Sequence, residues 1–212
     1  MFKRRDRRPV WQIVASIVYP RGGWSRAAQY VKHRIRRLPD TPEKISRGIA
    51  AGVFTTFTPF FGLHFLIAAI IALVMRGNIL AALLATFVGN PLSFPVIGYV
   101  SLNIGTWMLG MPRAVVYNLG QKFVTAGNDL WHNVKAIFGP GKAEWSGLKI
   151  FFDDVFLPYT IGGLIPGLIL ASCSYYLALP LISAHQKRRK KILRAKLAQL
   201  KQKTPPEVQH DQ

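Results

Sequence analysis

The sequence predicts an all-α chain: a small polytopic helical membrane protein with broken or re-entrant helices and amphipathic, basic helices at its ends. Three observations predict it. Residues 48–75, 78–112 and 155–184 hold no formally charged side chain when His64 is counted as neutral, and about 20 apolar residues suffice to cross a bilayer. The charge is segregated. Residues 1–47 carry thirteen Lys/Arg against three acids and residues 185–212 carry nine against two, whereas residues 77–184 hold five and four. Finally, helix-breaking residues interrupt the first two apolar stretches, at Thr58-Pro59-Phe60-Phe61-Gly62 and at Gly89-Asn90-Pro91-Leu92-Ser93-Phe94-Pro95. Proline removes a backbone donor and clashes with the preceding turn. In hydrocarbon such a break survives only where protein or a wet cavity covers it.

At 212 residues the chain is one domain with tails. Half its residues are hydrophobic, yet its net charge is +19, a combination rare in a soluble globule. A nucleic-acid-binding reading explains the basic ends but not the apolar runs, so no nucleic acid is expected. Anionic lipid headgroups explain both. The organisation that follows is a basic amphipathic interfacial region (residues 1–40), a membrane domain (41–185) with an extramembrane insert (113–154), and a basic cytoplasmic tail (186–212). The single cysteine, Cys173, excludes a disulfide within the chain and reads as a small buried hydrophobe. No secretory signal is apparent, because the apolar patch at residues 10–19 is short and runs into Pro20-Arg21 without a small-residue cleavage site.

In chain order, Val10, Ile13, Val14 and Ile17 recur at helical spacing between Pro9 and Pro20, the pattern of a short amphipathic helix. Its basic flank and Trp11 suit the membrane surface; packing on the rest of the protein suits the same pattern. Pro20-Arg21-Gly22-Gly23-Trp24 is a turn by composition. The amides of Gly22 and Gly23 beside Arg21 and Arg26 suit a phosphate, and with Arg37 they are the candidate contacts to a lipid headgroup. A plain turn with solvated arginines is the other reading. A helix over residues 25–38 follows, with Val31, Ile35 and Leu38 on one side. Thr41 then reads as the N-cap of the next helix and Pro42 as its first residue.

Gly48 and Gly52 form a small-x-x-x-small pair, which lets helix backbones approach closely. From residue 48 to 58 is about 16 Å of helix, half of a ~30 Å hydrocarbon core. Residues 63–75 would bring the chain back as a re-entrant hairpin, though a single kinked span has the same composition. Arg76-Gly77-Asn78 is a tight turn. A half-length helix runs from there to Gly89, and residues 93–110 are nearly a full span. A short amphipathic helix is expected around residues 115–131, then a loop at Gly139-Pro140-Gly141. Asp153-Asp154 reads as carboxylates complementing a helix dipole, with metal or acid–base work as the alternative. In the last apolar stretch Gly163 and Gly167 form another close-packing pair. His185 and the lysines and arginines after it stop that stretch, and a helical tail reaches about residue 203, ended by Pro205-Pro206.

The run Tyr19-Pro20-Arg21-Gly22-Gly23-Trp24-Ser25-Arg26, then Tyr30, Arg37-Leu38-Pro39, Gly48, Gly52, Thr58-Pro59-Phe60-Phe61-Gly62-Leu63-His64, Asn78 and Asn90-Pro91 resembles an uncharacterised family of bacterial inner-membrane proteins. This family is a domain of unknown function sometimes fused to glycosyltransferase modules. The resemblance covers roughly residues 10–185. It implies a multi-pass protein of the bacterial inner (cytoplasmic) membrane and supplies no activity.

Basic flanks stay in the cytoplasm, so both termini are expected inside and the insert outside. With three apolar segments, one must then be re-entrant or cross twice, the alternative being that one basic end lies outside. The candidate site is the pair of breaks: Thr58, Pro59, Phe60, Gly62, His64, Asn78, Asn90 and Pro91. His64 and Asn90 either satisfy freed backbone groups or present a polar surface to a headgroup, ion or solute, as broken helices do in transporters. No phosphate loop, metal-binding Cys/His cluster or nucleophile–His–acid set is visible, so catalytic residues, metal and cofactor are all read as none. Two functions fit. The first is a small transport or lipid-handling protein whose broken helices meet at the midplane, with homo-oligomers enclosing more than one chain can. The second is a scaffold or accessory subunit whose basic ends bind anionic lipid or a partner enzyme. The sequence names no protein partner.

Overall fold

The computed structural model describes residues 23–60, 62–112, 118–137, 139 and 142–203. The expected helix at residues 10–18, Arg21 and Gly22 of the turn, and Pro205-Pro206 lie outside them. Every regular element among the described residues is helical, so the chain is all-α. The helices are α1 (Gly23–Arg36), α2 (Pro42–Thr55), α3 (His64–Val74), α4 (Ile79–Ala85, prolonged by a 3-10 turn Thr86–Val88) and α5 (Phe94–Met108). They continue with α6 (Leu119–Ile137), α7 (Ser146–Phe151, followed by a π-turn Phe152–Phe156) and α8 (Leu157–Lys203).

Thr41 caps α2. Its backbone is extended and its hydroxyl accepts from the Lys44 amide at 3.4 Å, with Pro42 just inside the helix. The helix therefore starts six residues before the apolar run, which begins at Gly48. Its far end tightens through i to i−3 bonds, from the amides of Thr56, Phe57 and Thr58 to Val53, Phe54 and Thr55. The break then follows at Pro59. α3 ends at Val74 with Met75 as its C-cap, and Arg76 (φ 52°) turns the chain so that the Asn78 amide donates to the Lys44 carbonyl at 2.8 Å. The return from the break thus ends beside the start of α2.

Two elements differ from expectation. α6 runs on to Ile137 instead of ending near 131, its first expected residues lying outside the described ones. α8 ends at Lys203, where the helical tail was expected to end, but it joins that tail to the last apolar stretch without an interruption at His185: it is one helix of 47 residues with Pro166 and Pro180 inside it, about 70 Å long at ~1.5 Å per residue.

α2 is the hub, packed along α8, α4 and α3, while α5 packs across the first turns of α8. Small residues set these distances. A Cβ on Gly48 would overlap the Asn78 carbonyl oxygen, and one on Gly52 the Ala82 carbonyl oxygen. On α8, Gly163 meets the Phe57 carbonyl oxygen and Gly167 the Phe54 and Phe57 side chains. Gly162 and Gly105 bring α8 and α5 together in the same manner. The core is accordingly alanine-rich between α2, α3 and α4 (Ala51, Ala68, Ala72, Ala82) and larger where α2, α5 and α8 meet (Phe57, Ile97, Leu102, Val155, Tyr159).

The outer faces are apolar. Phe65, Leu66, Ile70 and Leu73 on α3, Val96, Tyr99 and Trp107 on α5, and Leu168, Ile169, Tyr176 and Leu177 on α8 are exposed. Cys173 is exposed as well, not buried as its surroundings in the sequence suggest. Among the described residues one helical stretch, Ser146–Gln199, is long and apolar enough to cross a membrane.

Candidate functional site

The contacts define two poles. At one, the Gln186 side chain on α8 donates to the Asp40 carbonyl at 2.8 Å, and Asn78 donates to the Asp40 carboxylate, which also lies 3.9 Å from Lys44. Asn78 Oδ1 accepts from the Ala81 amide at 2.7 Å and so caps α4. This corrects the grouping of Asn78 with the breaks: α2 and α4 both start at this pole, and the breaks lie at their other ends. The pole also carries basic side chains. Lys187, Arg188, Arg189, Lys190 and Lys191 on α8 are exposed beyond Gln186. Of the proposed headgroup contacts, Gly23 begins α1 with φ 82°, and Arg26 and Arg37 are exposed.

At the other pole the two breaks meet. A Cβ on Gly89 would lie 2.9 Å from Thr56 Cγ2, and the His64 ring is 5.6 Å from that of Phe94. Phe60 stacks edge-on against Phe156 at 5.5 Å, so the first break also reaches the start of α8. Thr58, Pro59, Phe60, Gly62, His64, Asn90 and Pro91 therefore share one end of the molecule, with Gly62 (φ 86°) and Pro91 at its surface.

The polar groups of this pole face their own backbone. Thr55, Thr56 and Thr58 hydroxyls donate to the carbonyls of Ala51, Val53 and Thr55 at 2.7–2.8 Å, the back-bonding that apolar helices favour. The His64 imidazole, at the first position of α3, is hydrogen-bonded to the Thr58 backbone across the break. Asn90 Oδ1 accepts from the amides of Leu92 and Ser93 at 2.9 and 3.0 Å, while its Nδ2 donates to the Val88 carbonyl. Ser93 Oγ accepts from the Asn90 amide and donates to Val88. A turn built this way keeps its freed backbone groups satisfied without water.

Beside this pole lies a cleft of about 350 Å³ with almost wholly apolar walls. α5 supplies Pro95, Gly98, Tyr99 and Leu102, α6 supplies Leu119 and Phe123, and the π-turn and α8 supply Val155 and Tyr159. Next to it is a feature the sequence left unseen: Lys122 on α6 pairs with Asp154 in the π-turn, Nζ to Oδ2 2.8 Å. The acidic pair thus sits inside a π-turn and not at a free helix end, and Asp154 has a specific cation. Asp129 is buried and accepts from the Gly147 and Leu148 amides at 2.6 and 3.2 Å, which fixes α7 on α6. The only advance sign of either was an acid within an insert that mixes apolar, aromatic and polar residues. No group of three or more His, Cys, Asp or Glu among the described residues is placed to hold a metal ion.

A family model described as an uncharacterized protein conserved in bacteria (DUF2062) matches residues 25–191. No curated protein and no solved structure matches the chain.

Proposed function

The chain belongs to this uncharacterised bacterial family, and we propose that it is an integral protein of the inner membrane that handles lipid. The observation that carries the reading is the junction of the two breaks. Its polar side chains are turned onto their own backbone, and the open space beside it is apolar. An ion or sugar route would need polar groups aimed into that space; a hydrocarbon chain needs none. A membrane setting is supported by the apolar window of the Ser146–Gln199 stretch, of which 17% is buried inside the molecule. The core helix of a soluble protein would be mostly covered.

In this reading the basic pole lies at the cytoplasmic headgroups and α2 enters from it. At 14 residues α2 reaches about 21 Å, so the breaks meet beyond the midplane of a ~30 Å core. That is deeper than a helix counted from Gly48 would place them. α2 and α3 then form the re-entrant hairpin.

Reconstitution of the full chain in liposomes, with labelled phospholipid and a trapped solute followed together, tests the reading. Expected is redistribution or retention of lipid without solute leakage; solute flux with no effect on lipid would overturn it. The scaffold alternative draws on α8 past Gln186, where Ile192, Leu193 and Leu197 are exposed among the basic residues. In that case removing residues 187–212 would abolish activity while lipid retention persists.

A further inference from the structure

We propose that the cleft between α5, α6 and the start of α8 holds an acyl chain of a phospholipid with an amine-bearing headgroup, and that Lys122 and Asp154 read the headgroup. This rests on the lipid-handling reading and adds to it where the lipid binds and which class is preferred.

The cleft suits a chain for three reasons. Its walls are apolar, and Tyr99 and Phe123 are exposed on it, so it opens sideways to the surroundings. Gly98 leaves part of its volume empty, since a Cβ there would meet only the Tyr159 ring, at 3.6 Å. The rim is charged in a way that selects the other end of the molecule. Lys122 follows Leu119 by three residues, on one face of α6, and precedes Phe123. Asp154 precedes Val155. The ion pair therefore joins α6 to the π-turn beside the cleft, one residue along the chain from the wall residues Phe123 and Val155. Its side chains retain 18% and 30% of their exposure, so a headgroup can reach both. Asp153 beside them is exposed.

Charge decides the occupant. One cation with two acids repels a purely anionic headgroup and complements one carrying a phosphate and an ammonium. The phosphate goes to Lys122 and the ammonium to Asp154, each replacing the partner it leaves. A primary ammonium donates hydrogen bonds to a carboxylate, whereas a quaternary one cannot. Phosphatidylethanolamine thus fits better than phosphatidylcholine or phosphatidylglycerol. The basic pole, by contrast, carries a surplus of cations over its acids Asp40 and Glu43.

The test is native mass spectrometry of the full chain, purified in detergent and offered the three lipids separately. The wild type should retain phosphatidylethanolamine best. Gly98→Leu, which fills the cleft, should lower retention of every lipid by about tenfold without lowering the melting temperature. If Gly98→Leu fails to fold, Phe123→Ala removes wall at an exposed position and should weaken retention of all three. Asp154→Asn should erase the preference for phosphatidylethanolamine and favour phosphatidylglycerol. If the wild type retains no lipid, the lipid-handling reading itself falls. If it retains lipid but the cleft variants change nothing, that reading stands and the cleft assignment is overturned. An unchanged preference in Asp154→Asn overturns the rim.

Discussion

Gly52 and Gly98 both lie inside apolar helices, but the same substitution should move them in opposite directions. A Cβ on Gly52 would overlap the Ala82 carbonyl oxygen and stand 2.7 Å from Ala85 Cβ. Backbone on the facing helix cannot step aside as a flexible side chain can. Gly52→Ala is expected to cost about 1–3 kcal/mol as overpacking. Gly98→Ala meets only the Tyr159 ring at ordinary distance and should be neutral or stabilising by up to ~1 kcal/mol, the gain in helix propensity. Thermal melts in one detergent read both; equal shifts would mean that α2 and α4 are not in backbone contact. His64 and Asn90 pose a different question, because each holds backbone together at the break pole. Asn90→Ala leaves the Leu92 and Ser93 amides without their acceptor, at about 1–3 kcal/mol. If the two residues only cap, any loss of activity in His64→Ala and Asn90→Ala should follow the loss of stability. Activity lost from a protein that melts like the wild type would make them ligand contacts.

Among the elements, α7 depends most on a single side chain. It has six residues, too few to hold by itself, and the Asp129 carboxylate takes two of its first amides. Asp129→Ala should cost about 1–3 kcal/mol and show first as faster hydrogen exchange in residues 146–151. Exchange that accelerates equally in α2 would mean that α7 and the hub unfold together. Such elements also mark where the sequence stops being readable. The Thr41 cap and the breaks at Pro59 and Pro91 were legible, since each is fixed by residues within a turn or two, and the small-x-x-x-small spacing of Gly48/Gly52 and Gly163/Gly167 marked faces for close approach without naming the helices they meet. Asn78 was not, because its partner Asp40 lies 38 residues away. The Lys122–Asp154 pair spans 32 residues, and neither side announces the other. That the helical tail continues α8 without a break was hidden for another reason. At residue 185 the composition changes from apolar to basic, which looks like an end, but Lys, Arg, Gln, Leu and Ala all favour helix. The change marks new surroundings along one continuous helix.

For the molecule as a whole, the two poles turn a rule about charge into a statement about connectivity. The start of α2, the turn at residues 76–78 and the end of the apolar part of α8 are tied together through Asp40, Asn78 and Gln186. Whatever side of a membrane one of them occupies, all three occupy. The α6–α7 layer joins at the other pole, through the cleft and the Lys122–Asp154 pair. Basic flanks favour the cytoplasm, so Arg76 and the α8 extension should face inward and the layer carrying Gly139 outward. Arg76, Gly139 and Lys190 are all exposed, which makes them usable probes. In a Cys173→Ser background, single cysteines at these positions would be challenged with a membrane-impermeant maleimide on intact spheroplasts and on inverted vesicles. Arg76→Cys and Lys190→Cys should label only in inverted vesicles, and Gly139→Cys only in spheroplasts. Arg76 is the deciding probe. Were residues 48–75 one kinked span, Arg76 would label from the side opposite Lys190, and the contacts from Asn78 to Lys44 and Asp40 could not form in the membrane. Labelling of Arg76 and Lys190 from the same side, with Gly139 opposite, leaves the hairpin of α2 and α3 as the arrangement that satisfies both the charges and the contacts.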